Sequence, residues 1–317
     1  MIQVGIDEAG LGPILGPLVV AGAALEAPGR GADPYDLLRT VAARKGRRRE
    51  TRLLVDDSKK VFSGKTGLAH LERTALAFMA LAWGSPPRNG EELASRLLAG
   101  GSRRERETCP WLYPLDLPLP LAVSPERVEL DAWLLEKARK DTGFTVAGIH
   151  LLALHPQAFN ASIDRTGNKS ETHFQAVMAV LKASLTHSPA RVLLDRAGGR
   201  VHYAAHLARA FPGAGVTLKE EGPSRQRYQL RLGRGRGLEV WFQEKGESRF
   251  FSIALASCLA KYVREVFMEA LNRWFQERIP GLRPTRGYYV DGRRFLGQVE
   301  EVARKEGVVR EAFLRKR

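Results

Sequence analysis

Two adjacent carboxylates, Asp7 and Glu8, follow a short apolar run from Ile2 to Ile6 and lead into a glycine-rich turn, Ala9-Gly10-Leu11-Gly12-Pro13. Adjacent residues on a regular strand point to opposite faces, so both acids serve one site only if the chain bends sharply after Asp7. Gly10 and Gly12 permit such a bend because they tolerate backbone angles closed to other residues. Two negative charges crowded at a strand end repel each other unless something cationic lies between them. A divalent metal ion is the natural candidate. The plainer reading is a surface turn with two solvated acids.

Other segments with chemical potential are weaker. Gly10-x-Gly12 could open a dinucleotide turn, but that fingerprint needs a further glycine where Leu15 stands. Acids directly before the turn would also repel a pyrophosphate. An ATPase phosphate loop can follow a strand ending in aspartate, yet it has no clear use for Glu8. Gly64-Lys65-Thr66 imitates the end of a phosphate-binding loop, but Lys59 occupies the place of the required glycine. His202 and His206 have metal-ligand spacing on an expected helix, with no glutamate or cysteine to complete a set, so an exposed helix face explains them better. Gly233-Arg234-Gly235-Arg236-Gly237 places two arginines at a hairpin tip, either solvated or touching phosphate. No serine or cysteine stands beside a plausible base, and covalent catalysis has no support.

The chain of 317 residues, 44% hydrophobic, is long enough for one large domain or a domain with an attached lobe. Lys+Arg 50 against Asp+Glu 35 gives a net charge of +15, which favours a polyanionic partner, nucleic acid before membrane. No apolar run approaches a membrane span, and Met1 leads into a strand rather than a signal segment. Cys109 and Cys258 form neither a disulfide framework nor a zinc pattern, so a reducing, cytoplasmic location is the expectation. A monomer is expected as well.

The elements that must carry these residues alternate between strand and helix, an α/β pattern. Strands are expected at Ile2–Ile6, Leu18–Leu25, Phe144–Leu154 and Arg191–Leu194, the last ending at Asp195. Helices are expected over Ser63–Trp83, from Ser124-Pro125 to about Lys140, behind the Asn168-x-x-Glu171 capping box, over Val201–Phe211, and over Ser252–Phe275. Alternation at Tyr228, Leu230, Leu232 and at Leu238, Val240, Phe242 predicts a hairpin near 225–245. Prolines and arginines between Gly84 and Ala122 predict an insertion lying on the core rather than within it.

With those residues in place, Asp7-Glu8-Ala9-Gly10 followed by Gly16-Pro17-Leu18-Val19-Val20-Ala21-Gly22 closely resembles the opening of the ribonuclease HII/HIII family. Further similarities follow in the family's order: Asp57-Ser58-Lys59-Lys60, Asn160 with Asn168 and the helix behind it, Leu193-Leu194-Asp195, and Glu244-Lys245-Gly246-Glu247-Ser248 running into Ser252–Lys261. The resemblance covers residues 5 to about 265, except for the proline-rich segment and most of the hairpin. It implies an RNase H-like three-layer fold in which a mixed central sheet is flanked by helices. The core would cover 1–270, with a Pro/Arg-rich insertion near 84–123 and an inserted hairpin near 225–245, and 271–317 would form a C-terminal helical extension. It also implies cleavage of RNA within RNA–DNA hybrids.

The family's four acids carry over as Asp7, Glu8, Asp195 and Glu247, which would be both catalytic and metal-holding. Glutamate at the fourth place and the Gly-Pro-Leu-Val-Val-Ala-Gly run lean toward HIII, although, with a first strand expected from Ile2, the N-terminal substrate-binding domain typical of HIII is not expected here. Hard Mg²⁺ or Mn²⁺ takes oxygen ligands, and two such ions can activate the attacking water and stabilise the leaving 3′-oxygen. Gly10 and Gly12 would offer backbone groups to a ribose 2′-OH, Ser58, Lys59 and Lys60 would meet phosphate, and Tyr288 would pack on a sugar. Where the family has a basic residue between the two glycines, this chain has Leu11, which removes a cationic contact. Gly287-Tyr288 lacks the threonine and histidine expected soon after it, so a packing tyrosine is the other reading there. Glu265 stands where the family often has aspartate, with at most an indirect role. The alternative function is a nucleic-acid-binding protein on the same fold with weak or no catalysis. Retention of four acids argues against it, and Leu11 argues mildly for it.

Overall fold

The computed structural model describes residues 1–29, 31–44, 50–98, 103–196 and 202–316. The chain opens with β1 (Ile2–Ala9), β2 (Leu18–Glu26), α1 (Pro34–Leu37) and a minimal parallel pair, β3 (Ala42–Ala43) and β4 (Leu53–Leu54). Helices α2 (Ser58–Val61), α3 (Gly67–Trp83), α4 (Gly90–Ser95), α5 (Arg103–Thr108) and α6 (Pro125–Thr142) lead to β5 (Thr145–Leu154). After α7 (Pro156–Thr166) and α8 (Lys169–Ser184) come β6 (Arg191–Asp195) and α9 (Ala204–Ala210). The chain then forms β7 (Gly215–Glu221), β8 (Arg225–Arg231), β9 (Gly237–Gln243), α10 (Phe251–Gln276) and α11 (Tyr289–Lys305).

The main sheet is seven-stranded, in the order β5-β2-β1-β6-β9-β8-β7. β1 runs antiparallel to β2 and parallel to β6, and β6 runs parallel to β9, so the sheet is mixed. Helices cover both faces. On one face, Val4, Ile6, Val20 and Val192 pack with Phe174, Val177 and Leu181 of α8. On the other, Val19, Ala21 and Ala23 pack with Ala254, Ala256 and Ala260 of α10, and α3 closes the layer with Leu71, Ala75 and Phe78. The small residues of α10 allow close contact, and at Gly5 the backbone of Ser252 and Ile253 leaves no room for a Cβ. The expected three-layer α/β architecture with C-terminal helices is the one observed.

Local signals explain several boundaries. Ser124 caps α6 by accepting from the Arg127 N–H, and Gly143, at φ +71°, ends it. Asn168 caps α8 by accepting from the N–H groups of Ser170 and Glu171. The helix expected from Ser63 starts later, at Gly67, because Gly64 takes φ +74° and turns the chain. The helix expected from Val201 starts at Ala204, and Val201 itself lies outside the described residues. Tyr203 instead stacks on Phe242 with ring centroids 3.5 Å apart. The hairpin near 225–245 forms with Leu230 beside Leu238, and its second strand is an interior strand, held between β6 and β8. Among the described residues no helix is long and apolar enough to cross a membrane.

The proline-rich segment corrects the expectation that it lies on the core. Cys109, Trp111, Leu112, Leu115, Leu117 and Leu119 are all buried in the α10-side core. Trp111 meets Trp274, Phe275 and Phe313 at centroid distances of 5.6, 5.9 and 6.1 Å. Its prolines interrupt the periodicity by which a core segment is normally read. The segment returns to the body at Glu72 of α3, a fully buried carboxylate that accepts from the N–H groups of Leu121, Ala122 and Val123 and from the Tyr262 hydroxyl. Replacing Glu72 with alanine strands those donors, and we expect a loss of about 3 kcal/mol in urea unfolding. A loss below about 1 kcal/mol would mean that water takes over the carboxylate's role.

Candidate active site

Parallel pairing puts Ile6 of β1 beside Leu194 of β6, so the next residues, Asp7 and Asp195, reach the same end of the sheet. Asp195 in turn lies beside Gln243 at the end of β9, and the short 3₁₀ turn Gly246–Ser248 that follows carries Glu247. Lys245, at φ 53°, turns the chain back, and the Gly246 N–H donates to Asp195 Oδ1 at 2.8 Å. The four expected acids therefore come from three elements at one end of the sheet.

The expected bend after Asp7 is absent. β1 continues to Ala9, with Asp7 beside Ala21 and Glu8 beside Val20, and the turn falls later, at Gly10 with φ +90°. Unbroken pairing with β2 keeps the strand straight, so the two carboxylates leave opposite faces. Asp7 faces α10 and is hydrogen-bonded by Ser257. Glu8 faces α8, where Nε2 of the buried His173 lies 3.2 Å from Glu8 Oε2. Each acid is turned to its own partner, and among the described residues no three Asp, Glu, His or Cys side chains stand close enough to enclose an ion.

The electrostatics fit a cation nonetheless. Burial, with the charges of Glu8 and Asp195, holds the Asp7 carboxyl well above the usual range, partly offset by Ser257. Burial also pushes Asp195 up to about 7, against the Gly246 N–H and reinforced by Glu247 and Glu8. Among the described residues, Glu247 Oε2 is buried with no hydrogen-bond partner. A donor set of carboxylate oxygens, like-charged and incompletely bonded, suits a hard divalent ion. Asp7, Glu8, Asp195 and Glu247 are the carboxylates at this end of the sheet, and holding an ion would require them to draw closer than they stand.

The expected substrate-contact residues surround this end of the sheet. Ser58 is buried and shares a 3.0 Å hydrogen bond with Ser257, linking α2 to Asp7. Lys59 is exposed beside it, and Lys60 Nζ lies 3.1 Å from Asp56 and 3.4 Å from the Ser248 hydroxyl, next to Glu247. Gly12 is exposed and open, whereas Leu11 packs against the α8-side core. Tyr288 is 51% exposed, and its neighbour Gly287 accepts from the N–H groups of Ile14 and Leu15 at 2.8 and 3.2 Å. His202 and His206 do not share a helix face, since His202 precedes α9 and pairs with Glu221 while His206 pairs with Glu171.

Some neighbours have no counterpart in the sequence reading. His173 is hidden within the apolar face of α8, and Arg44 reaches the carbonyls of Ser248 and Arg249 from a distant loop. Lys261 Nζ and the Arg286 guanidinium lie 4.4 and 5.2 Å from the Phe62 ring centroid. Their nearest signals were the helical segment ending at Lys261 and the Gly287-Tyr288 pair. Glu265 sits apart from the acids and pairs with Lys261. A cleft of about 650 Å³ lined by Glu265, Arg286, Tyr288 and Asp291 adjoins these residues, with the acids outside its lining. Neither cysteine is a poised nucleophile, because burial pushes both thiols up to about 12.

No protein-family model and no curated protein sequence matches this chain. Solved structures resemble it at low identity. The PCNA:RNase HII complex from Archaeoglobus fulgidus is similar at 17% identity and a TM-score of 0.44, over 100% of this chain and 95% of that one. The ribonuclease H2 of Pyrococcus horikoshii OT3 is similar at 15% and 0.43, over 99% and 92%. Bst-RNase HIII in complex with Mn²⁺ is similar at 15% and 0.45, over 99% of this chain and 66% of that one.

Both raised carboxyls make metal-free stability depend on pH. A group whose folded pKa lies above its unfolded value binds more protons when folded, so stability falls as pH rises from about 4 toward 7. In EDTA the Tm should fall between pH 5 and 8, and Mg²⁺ or Mn²⁺ should restore it most at pH 8. A flat profile in scanning calorimetry, unmoved by metal, would show that the acids do not act as a coupled site.

Proposed function

We propose that this chain is a metal-dependent endoribonuclease that cleaves the RNA strand of RNA–DNA hybrids and leaves 3′-OH and 5′-phosphate ends. The observation that carries the reading is that Asp7, Asp195 and Glu247, distant in sequence, end together with Glu8 at one end of the sheet, with Glu247 Oε2 buried and unbonded among the described residues. The ordered resemblance of five sequence segments to the HII/HIII family supports it.

In this reading the four acids hold two divalent cations, Mg²⁺ or Mn²⁺. When bound, such ions supply water activation and stabilisation of the leaving 3′-oxygen. The chain's own residues bind and orient the hybrid. Lys59 and Lys60 on α2 contact phosphate, and the Ser58–Ser257 bond ties that helix to Asp7. The backbone of Gly10 and Gly12 meets a ribose 2′-OH, the group that distinguishes RNA from DNA. Tyr288 packs on a sugar beside the glycine loop. The net charge of +15 favours the polyanion over long range.

Leu11, packed inward, favours the second reading, binding without cleavage. A labelled hybrid incubated with the protein in Mg²⁺, Mn²⁺ or EDTA separates the two. We expect metal-dependent cleavage, reduced at least about a thousandfold by Asp7→Asn with no loss of Tm. Binding without cleavage in either metal would replace the nuclease with the binding protein, and near-full cleavage by Asp7→Asn would remove the acids from the mechanism.

A further inference from the structure

The last residues of the chain return to its first turn. Leu314 bridges to Leu15, and the Arg315 N–H donates to Ile14 O at 2.8 Å. Asn160 grips the segment on both sides of Arg315, donating to Leu314 O at 2.9 Å and accepting from the Lys316 N–H at 2.7 Å. The Arg315 guanidinium is thereby carried beneath the glycine loop. Its Nη2 donates to the carbonyls of Gly10, at 2.5 Å, and Pro13, and its carbon lies 4.8 Å from the Phe159 ring centroid. Phe159 belongs to the same apolar cluster on which Leu11 packs.

This cation is not a solvated tail residue. Arg315 is 4% exposed, and its Nε and Nη1 have no hydrogen-bond partner among the described residues. Burial and the nearby Arg264 push the guanidinium down to about 9, so it remains charged at neutral pH. Burying an arginine with two unpartnered groups is costly and is sustained only by what the remaining arm secures. What it secures is the pair of carbonyls flanking Leu11 and Gly12. Their direction sets the direction of the neighbouring N–H groups, since peptide planes are rigid.

We propose that Arg315 is the positioning residue of the glycine loop, fixing the Gly10 and Pro13 carbonyls from beneath and supplying the positive charge that Leu11 does not. This inference rests on the ribonuclease reading and adds that hybrid recognition depends on a residue 305 positions away from Gly10. The charge beneath the loop favours a phosphate above it, and the fixed backbone favours the ribose, so affinity for hybrid should suffer more than turnover once bound.

The test uses the full-length chain. Binding of a labelled RNA–DNA hybrid and of the DNA duplex of the same sequence is followed by anisotropy in EDTA, and hybrid cleavage is followed in Mg²⁺. For Arg315→Ala we expect hybrid affinity to fall about tenfold and KM to rise in parallel, with DNA binding and kcat changed less than about threefold. Arg315→Lys keeps the charge without the planar Nη2 donor shared by the two carbonyls and should lie between, so a folding failure of the alanine variant does not decide the matter. Adding Leu11→Arg to either variant should recover hybrid affinity. Wild-type hybrid affinity in both Arg315 variants, or equal loss for both duplexes in step with a falling Tm, would overturn the inference while wild-type cleavage left the ribonuclease reading standing. A wild-type chain that neither binds nor cleaves the hybrid would overturn both.

Discussion

Everything at the candidate site follows from two parallel strands ending together. β1 and β6 are hydrogen-bonded in a register that sets Ile6 beside Leu194, and the next side chain on each is an aspartate. Apolar burial of Val4, Ile6, Val192 and Leu194 holds that register, because a slip by one residue would move every side chain to the wrong face. The carboxylates have no freedom to separate along the sheet. Burial then raises the cost of charging them, and the fold carries a repulsion that it does not itself relieve.

The structure tolerates this because its stability lies elsewhere. The α10-side core joins α3, α6, the proline-rich segment and the C-terminal residues, and Glu72 binds the returning chain at 121–123. The acid end of the sheet is held mainly by polar contacts: Ser257 on Asp7, Gly246 on Asp195 and His173 near Glu8. These contacts orient the acid side chains at the strand ends. A region so arranged costs stability and is expected where charge must be kept available.

Much of this was legible in the sequence because it was local. Strand runs, the Asn168 and Ser124 caps and the small-residue face of α10 each depend on neighbours within a few positions, and each appears close to where it was expected. The acids were recognisable as types, but their geometry was not. A bend after Asp7 looked necessary because two adjacent strand residues diverge, yet β2 pairing through Ala9 prevents it and the divergence is real. Trp111 was hidden among prolines that mask periodicity, and His173 among apolar helix neighbours. Arg44 reaches Ser248 and Arg249 across more than 200 positions, a contact that no spacing rule can reveal.

The glycine loop shows the same division between type and placement. As a sequence it reads as a turn with one unexpected leucine. In three dimensions it is clasped from several sides: Arg264 occupies the space where a Cβ on Gly10 would lie, Gly287 accepts from Ile14 and Leu15, and Arg315 holds the carbonyls on either side of the leucine. A loop fixed by distant arginines does not need its own cation to keep its shape, and a leucine at position 11 can then turn inward and add to the apolar cluster. Positive charge lies in the layer beneath the turn rather than at its tip. Charge beneath a backbone still polarises its N–H groups toward an anion, but it cannot form the direct contact that a side chain at the tip would make. In the proposed reading, Leu11 changes how the loop would recognise a phosphate more than whether it could.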